Sequence, residues 1–245
     1  MADKIISLSR QKSKATSRKV TRRKVNENSR ADYVSQMIRQ AIHDGRYKPG
    51  ERVRETEVAE WLKVSRTPVR EALRRLESDG MLIFVSWRGV VVADLDRQQV
   101  SELYAMREIL EGAAAKLAAR HIDELEIEIL VALLERMQAA RNDAHATASL
   151  NRQFHDTIHV AAHNRYLVQM LEKLDNSLAL LRGTTFSIDG RAQQAAREHG
   201  DIVEGIKRRD PIAAEAAARA HISAAQRARI ELMMTQESDQ WESRT

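Results

Sequence analysis

The stretch from Val64 to Gly80, VSRTPVREALRRLESDG, constrains this chain more tightly than any other. Val69, Ala72, Leu73 and Leu76 recur at helical spacing and form one apolar stripe, while Arg66, Arg70 and Arg74 fall four apart on another face. Pro68 fits the first helical position, where a missing N–H costs nothing. Ser65 or Thr67 can cap the turn before it, and Gly80 supplies a stop. A helix that opens Ser-Arg-Thr and carries arginines along its exposed face can meet phosphates and base edges. The same pattern also describes an ordinary amphipathic surface helix with solvated arginines, so its neighbours must decide.

Upstream, Val34, Met37, Ile38, Ala41 and Ile42 mark a first amphipathic helix, begun near Ser29 or Asp32 and ended at Gly45. In RYKPGERVRETEVAEWL, Pro49-Gly50 marks a turn and Glu51 to Arg54 suffices for a minor strand. Val58, Ala59 and Leu62 then give a second short helix. Downstream, Leu82–Val85 and Val90–Ala93 are β-rich runs joined by Ser86-Trp87-Arg88-Gly89, a small hairpin with a glycine at its tip. Three helices followed by a basic-tipped hairpin make a winged helix-turn-helix, with the hairpin as the wing.

Beyond Asp94 the pattern turns wholly helical, consistent with a composition of only 9 glycines, 3 prolines and 4% aromatics. Val100, Leu103, Tyr104, Met106 and Leu110 open a long helix running through LEGAAAKLAARH. A second covers about 123–142, on a stripe of Leu125, Ile129, Leu130, Leu133, Leu134 and Met137. A third covers about 147–163 and a fourth about 165–182, where Leu167, Met170, Leu171, Leu174, Leu178 and Leu181 keep the period. Residues 184–190 read as a loop, a fifth helix runs to about Arg209, and Asp210-Pro211 caps a sixth that ends near Thr235. The expected fold is therefore mostly α: an N-terminal winged helix-turn-helix over 30–94 and a C-terminal all-α six-helix bundle over 97–235.

Charge sets the ends apart. Residues 1–29 hold nine Lys/Arg against Asp3 and Glu27, so the overall charge of +5 resides there and the remainder is slightly acidic. With no sustained apolar period, this basic tail is expected to be disordered. It reads equally as an arm adding nonspecific phosphate contacts and as a solvated extension with no site. Residues 236–245 read as a polar tail. The absence of cysteine excludes a disulfide framework and a thiolate metal site. No apolar run reaches the length of a membrane span and the N-terminus lacks a signal peptide's apolar core, so a soluble, cytoplasmic protein with no membrane partner is expected.

The helical domain carries a second constellation. Asn151 and His155 stand one turn apart on its third helix; His199 lies on the stripe of the fifth with Ala195, Ala196, Ile202 and Ile206. His221 lies beside the stripe of the sixth with Ala217, Ala220, Ala224 and Ala228. Imidazole suits Zn²⁺, Ni²⁺, Cu²⁺ and Fe²⁺, and helix bundles commonly build metal sites from facing helices. Any one of these histidines alone reads as a satisfied core residue; three helices each pointing one inward suggest a shared site. His159 continues the series from His155 with a rotation of about 40° and could line the pocket. His163 and Asn164 are expected to end the helix, and His43, His121 and His145 to be solvated.

Residues 30–93 resemble the DNA-binding domain of the GntR family of bacterial transcription regulators. The resemblance rests on the PGERV turn, the core ETEVAEWLKVSRTPVREALRRLESDGML and the final RGVVV, in order and at family spacing. It implies that Arg66 and Arg70 reach the operator, supported by Ser65 and Thr67, with Arg54 and the wing-tip residues Arg88 and Gly89 close to the DNA. Arginine is the usual bidentate reader of guanine, and glycine lets a backbone approach a phosphate. Residues 97–235 look like the FCD ligand-binding domain of one GntR branch. The shared pieces are Arg107, Leu110 and Glu111; Phe154, His155, Ile158 and Asn164; Glu198 and His199; and the late histidine His221.

That second resemblance implies a divalent metal, Zn²⁺ or Ni²⁺, on Asn151, His155, His199 and His221. The chain departs from the pattern at Asn151, where the family carries an Asp; an amide can still ligate, with one negative charge fewer. The ion's uncompensated charge would then attract a small carboxylate effector. Arg107 is the expected second anchor from its family position, and Arg182, at the far end of the fourth helix, a weaker one. A homodimer is expected, because paired half-sites multiply affinity and specificity. Repression relieved by the effector is the commoner family mode.

The leading expectation is thus a sequence-specific, effector-modulated transcriptional regulator that is not an enzyme. Two alternatives stand beside it. A metal-dependent hydrolase could use the histidines, but Asn151 removes the best carboxylate base and the arginine helix would go unexplained. An architectural DNA binder without ligand would leave the inward histidines idle.

Overall fold

A computed structural model describes residues 29–242; the basic tail over 1–28 and residues 243–245 lie outside the described residues. The chain divides into two compact units, one ending at Asp94 and the other beginning at Leu95.

Among the described residues, the first unit is built from three helices and a hairpin: α1 (29–43), α2 (Glu55–Leu62), α3 (Arg66–Ser78), β1 (Leu82–Val85) and β2 (Gly89–Val92). Its core takes Val34, Ile38 and Ile42 from α1, Val58 from α2, and Val69, Ala72, Leu73 and Leu76 from α3. These are the stripes expected from the sequence. Lys63 ends α2 in the left-handed region at φ 53°, which turns the chain sharply into α3. Ser65 takes the N-cap position in extended backbone, so Pro68 becomes the third residue of α3 rather than the first. The third N–H of a helix also lacks an intrahelical acceptor, so proline is still tolerated there. Arg39 pairs with Asp79 at 3.0 Å and Arg75 with Asp32, tying α1 to α3.

The hairpin pairs antiparallel with Leu82 opposite Val92 and Val85 opposite Gly89. The minor strand expected at 51–54 is a single bridge, Arg52 to Val91, flanked by Val53 N–H to the Val90 carbonyl and Val92 N–H to the Glu51 carbonyl, both at 2.9 Å. Gly89 closes the wing turn at φ +79°, a conformation that glycine adopts without strain.

Among the described residues, the second unit holds six α-helices: α4 (Arg97–His121), α5 (Glu124–Ala139), α6 (Ala144–Ala161), α7 (Arg165–Leu178), α8 (Arg191–Lys207) and α9 (Pro211–Glu242). A short 3₁₀ turn, Thr185–Ser187, lies within the expected loop. Asp96 with Gln99, and Asp123 with Glu126, form reciprocal capping boxes that start α4 and α5. The core packs Ala114, Ala115, Ala118 and Ala119 of α4 against Leu130, Phe154, Ile158, Ile202, Ile206 and Ala214 of the neighbouring helices. Small residues on α4 bring its axis close to the others.

Two expectations need correction. The stripe of α5 is Ile127, Leu130, Leu133 and Met137, whereas Leu125 and Ile129 are exposed, as are Met106 of α4 and Met170 of α7. Residues 236–242, read as a polar tail, continue α9. The segment from Gln236 to Glu242 contains no glycine or proline to stop a helix.

Candidate functional site

The first unit presents an exposed basic face. Arg66 is the first residue of α3 and Arg70 lies one turn on; with Ser65, Thr67 and Arg74 they are exposed. Glu55, at the start of α2, organises them: Arg70 donates through Nε to Oε1 and through Nη2 to Oε2, both at 3.0 Å, and Arg66 Nη2 reaches Oε2 at 3.3 Å. The hydrogen bonds from Arg70 hold the Glu55 carboxyl below the usual range, the nearby charges of Arg70 and Arg66 adding to the effect. Arg54 is exposed and pairs with Glu57 at 2.6 Å. At the wing tip Arg88 is exposed beside Trp87, itself 81% exposed, and Gly89 is half-buried. The structure thus brings Ser65, Arg66, Thr67 and Arg70 onto one helix end and Arg88 and Gly89 onto the hairpin. Glu55 was missed. Its signal was a carboxylate at the start of α2, eleven residues before Arg66, a spacing with no periodic meaning.

In the second unit, α6, α8 and α9 bring His155, His199 and His221 together, and all three are buried. One nitrogen from each lies within 4.8 Å of the others. His199 Nε2 faces His221 Nε2 at 3.2 Å, and the His155 ring lies 5.2 Å from that of His221 between centroids. Phe154 lies against the His199 ring at 4.5 Å. Two carboxylates orient the rings from behind: Glu111 Oε2 lies 3.1 Å from His155 Nδ1, and Glu198 Oε2 lies 2.8 Å from His221 Nδ1. Among the described residues, His155 Nε2 and His199 Nδ1 are buried without a hydrogen-bond partner. Carboxylate-backed imidazoles with a free inward nitrogen are the usual arrangement around a bound metal ion.

The electrostatics point the same way. Burial, with the neighbouring imidazoles and Arg191 adding to it, holds His199 well below its ordinary value. Burial, then His155, Arg107 and Arg191, does the same for His221. Both are therefore held neutral at physiological pH, the state in which an imidazole nitrogen can ligate a metal. Burial would raise Glu111, but the imidazoles of His155 and His159 outweigh it and hold the carboxyl well below the usual range.

Asn151 lies one turn before His155 on α6 and is half-buried. Arg107 is mostly buried and donates through Nε to Glu111 Oε1 at 3.2 Å, so it belongs to the network behind His155. Arg182 is exposed beyond α7, and its backbone carbonyl accepts from Arg229 at 2.7 Å. His159 is buried, with Nε2 at 2.9 Å from Glu111 Oε2, so it stands behind the cluster. His163 and Asn164 end α6 and start α7 as expected, Asn164 by capping Tyr166 and Leu167. Sequence reasoning gave no role to Glu111, Glu198 or Arg191. A carboxylate inside the alanine stripe LEGAAAKLAA was the available signal for Glu111.

Two family models match in chain order: "Bacterial regulatory proteins, gntR family" over residues 30–92, and "FCD domain" over residues 102–224. An "Uncharacterized HTH-type transcriptional regulator YdhC" of Bacillus subtilis is 34% identical over 189 residues, 76% of this chain and 84% of that protein. A "Probable D-xylose utilization operon transcriptional repressor" of Paenarthrobacter nicotinovorans is 32% identical over 211 residues, 86% of this chain and 91% of that protein. Among solved structures, E. coli McbR/YncC shares the fold at a TM-score of 0.71 and 23% identity, over 85% of this chain and 98% of the other. Among the described residues, no helix is long and apolar enough to cross a membrane. The hydrolase alternative falls with these matches, because the families and relatives are regulators rather than enzymes. The chain belongs to the GntR family, in the branch that carries an FCD domain, and is a DNA-binding transcriptional regulator.

Proposed function

We propose that this regulator is a cytoplasmic, homodimeric repressor whose operator affinity is set by a small organic anion bound at a divalent metal in the helical domain. The observation that carries the reading is the meeting of three buried imidazoles from α6, α8 and α9, with His155 Nε2 left without a partner among the described residues. The donor set fits a borderline ion such as Zn²⁺ or Ni²⁺: three imidazole nitrogens, two of the rings backed by carboxylates, with the Asn151 amide oxygen as a weak fourth ligand. When bound, such an ion would supply a positive charge to hold a carboxylate.

The chain's own residues do the rest. Glu111 and Glu198 fix the imidazole orientations, Phe154 supplies an apolar wall at His199, and Arg107 adds a guanidinium at the Glu111 end. Arg182, being exposed, would act only at an outer approach to the site. In the first unit, Arg66 and Arg70 read bases, Ser65, Thr67 and Arg54 fix the docking on phosphates, and Arg88 and Gly89 bring the wing to the backbone. The D-xylose operon relative, named as a repressor, supports repression as the mode of action. Support for a second copy comes from α4 and α7, which leave Met106, Ile109, Tyr166 and Met170 about half or more exposed.

The reading is tested on the purified full chain by elemental analysis, light scattering and operator titration with and without chelator. One ion per chain, a dimer, and an anion response lost on chelation are expected. An anion response that survives complete chelation would remove the metal from the site and leave the histidines as direct hydrogen-bond donors.

A further inference from the structure

Arg191 opens α8 and is 5% exposed. Its Nη2 donates to Glu198 Oε2 at 2.9 Å, and the same oxygen lies 2.8 Å from His221 Nδ1. A single carboxylate oxygen therefore joins this guanidinium to the histidine cluster. Among the described residues, Arg191 Nε and Nη1 are buried without a hydrogen-bond partner. A guanidinium does not shed its charge in a protein, and unpaired buried donors are costly. Glu198 meets only Nη2 of this guanidinium, and does so through the same Oε2 that serves His221. A ligand that brings acceptors to these donors removes that cost.

We infer that Arg191 is a second anion anchor beside the three-histidine site, and that the effector is accordingly a short dicarboxylate. One carboxylate sits at the metal-binding face of the histidines and the other on the Arg191 donors that Glu198 leaves free. This rests on the metal-and-anion reading above and adds the class of anion and the residue that selects it. The sequence pointed to Arg107 for such a role, with Arg182 as a weaker candidate; Arg107 donates to Glu111 and Arg182 is exposed, whereas Arg191 is enclosed and joined to His221 through Glu198. Enclosure matters because a charged hydrogen bond is worth most where water is excluded.

The test compares succinate with butyrate, which has the same carbon chain and one carboxylate. Calorimetry is run on the zinc-loaded full chain, as wild type, R191Q and R191K, with zinc content and helicity checked for each. The wild type should prefer succinate roughly tenfold to a hundredfold, the worth of one charge-assisted hydrogen bond. R191Q should lose most of that preference at unchanged zinc content and butyrate affinity, and R191K should recover part of it. An R191Q variant with the wild-type succinate-to-butyrate ratio would overturn the inference, as would a wild type that binds neither acid. The chelated wild type separates the two readings. A succinate preference that persists without zinc and is still lost in R191Q keeps Arg191 as the anchor and discards the metal. If chelation abolishes both affinities while R191Q, in the zinc-loaded protein, loses the succinate preference and keeps its butyrate affinity, both readings stand.

Discussion

Glu55 places a negative charge beside two arginines proposed to read bases, and it holds Arg70 through two bonds of 3.0 Å. Such a carboxylate orients the guanidinium groups before DNA arrives, at the expense of some attraction to the backbone. Arg66→Ala or Arg70→Ala should each weaken operator binding by about 1–3 kcal/mol and blunt discrimination at one position. Glu55→Gln should act differently: nonspecific affinity rises while the ratio of operator to nonspecific binding falls. Titrations of folded variants against operator and scrambled duplex check both, and unchanged ratios would take these residues off the reading face. At the proposed metal site, Asn151→Asp should raise zinc affinity and lower anion affinity, because it adds the missing negative charge; calorimetry reads the two separately. The histidines were legible in the sequence because each falls on or beside an apolar helical stripe. Their partners were not: Glu111 meets His155 across 44 positions and Glu198 meets His221 across 23. Only the fold creates such pairs, and no short spacing records them.

The helices themselves were legible where local chemistry marks their ends. Asp96 with Gln99 and Asp123 with Glu126 show the start of α4 and α5, and Asp210 before Pro211 shows the start of α9. What period alone could not give was the packing partner of each stripe, so exposed Leu125, Ile129, Met106 and Met170 were counted with the core. The approach of α8 to α9 was equally hidden. A Cβ on Gly205 would lie 2.7 Å from the Ala214 backbone nitrogen and 2.9 Å from its Cα, atoms that cannot swing aside. Gly205→Ala should therefore cost about 1–3 kcal/mol by overpacking. It should also weaken zinc binding, since these two helices carry His199 and His221; thermal melts with and without zinc check this. The same helices set an acid-side pH dependence. His199 and His221 have folded values well below the ordinary one, so the unfolded chain takes up protons first on acidification. The chelated protein should lose stability as pH falls below about 6.5. His159, whose value is raised because Glu111 outweighs its burial, works in the opposite sense and loses its contribution as pH rises through its folded value. A melting temperature that stays flat from neutral pH down to about 5 would mean that the histidine cluster accepts protons in the folded state.

At the scale of the whole molecule, a DNA-reading unit and a helical unit proposed to bind the effector share one chain, and each has a core of its own among the described residues. Regulation by a ligand is then a difference in free energy between states of the full assembly. One α3 helix reads few base pairs, and a second copy is needed for operator-grade specificity. An anion that favours one arrangement of the paired reading units changes operator affinity by its differential affinity for that arrangement, with a coupling of about 1–3 kcal/mol. Linkage requires the converse. If succinate weakens operator binding by the zinc-loaded protein by some factor, saturating operator must weaken succinate binding to that protein by the same factor. Two calorimetric titrations, of anion into free protein and into the protein–operator complex, measure this directly, and an operator titration with and without anion supplies the other leg. Equal factors on both legs, about 5- to 150-fold, are expected. Arg191→Gln should shrink both together, because it removes anion affinity without touching the reading face. Anion affinity that is indifferent to bound operator would mean that the two units act independently, and the helical unit would then serve dimerisation rather than sensing.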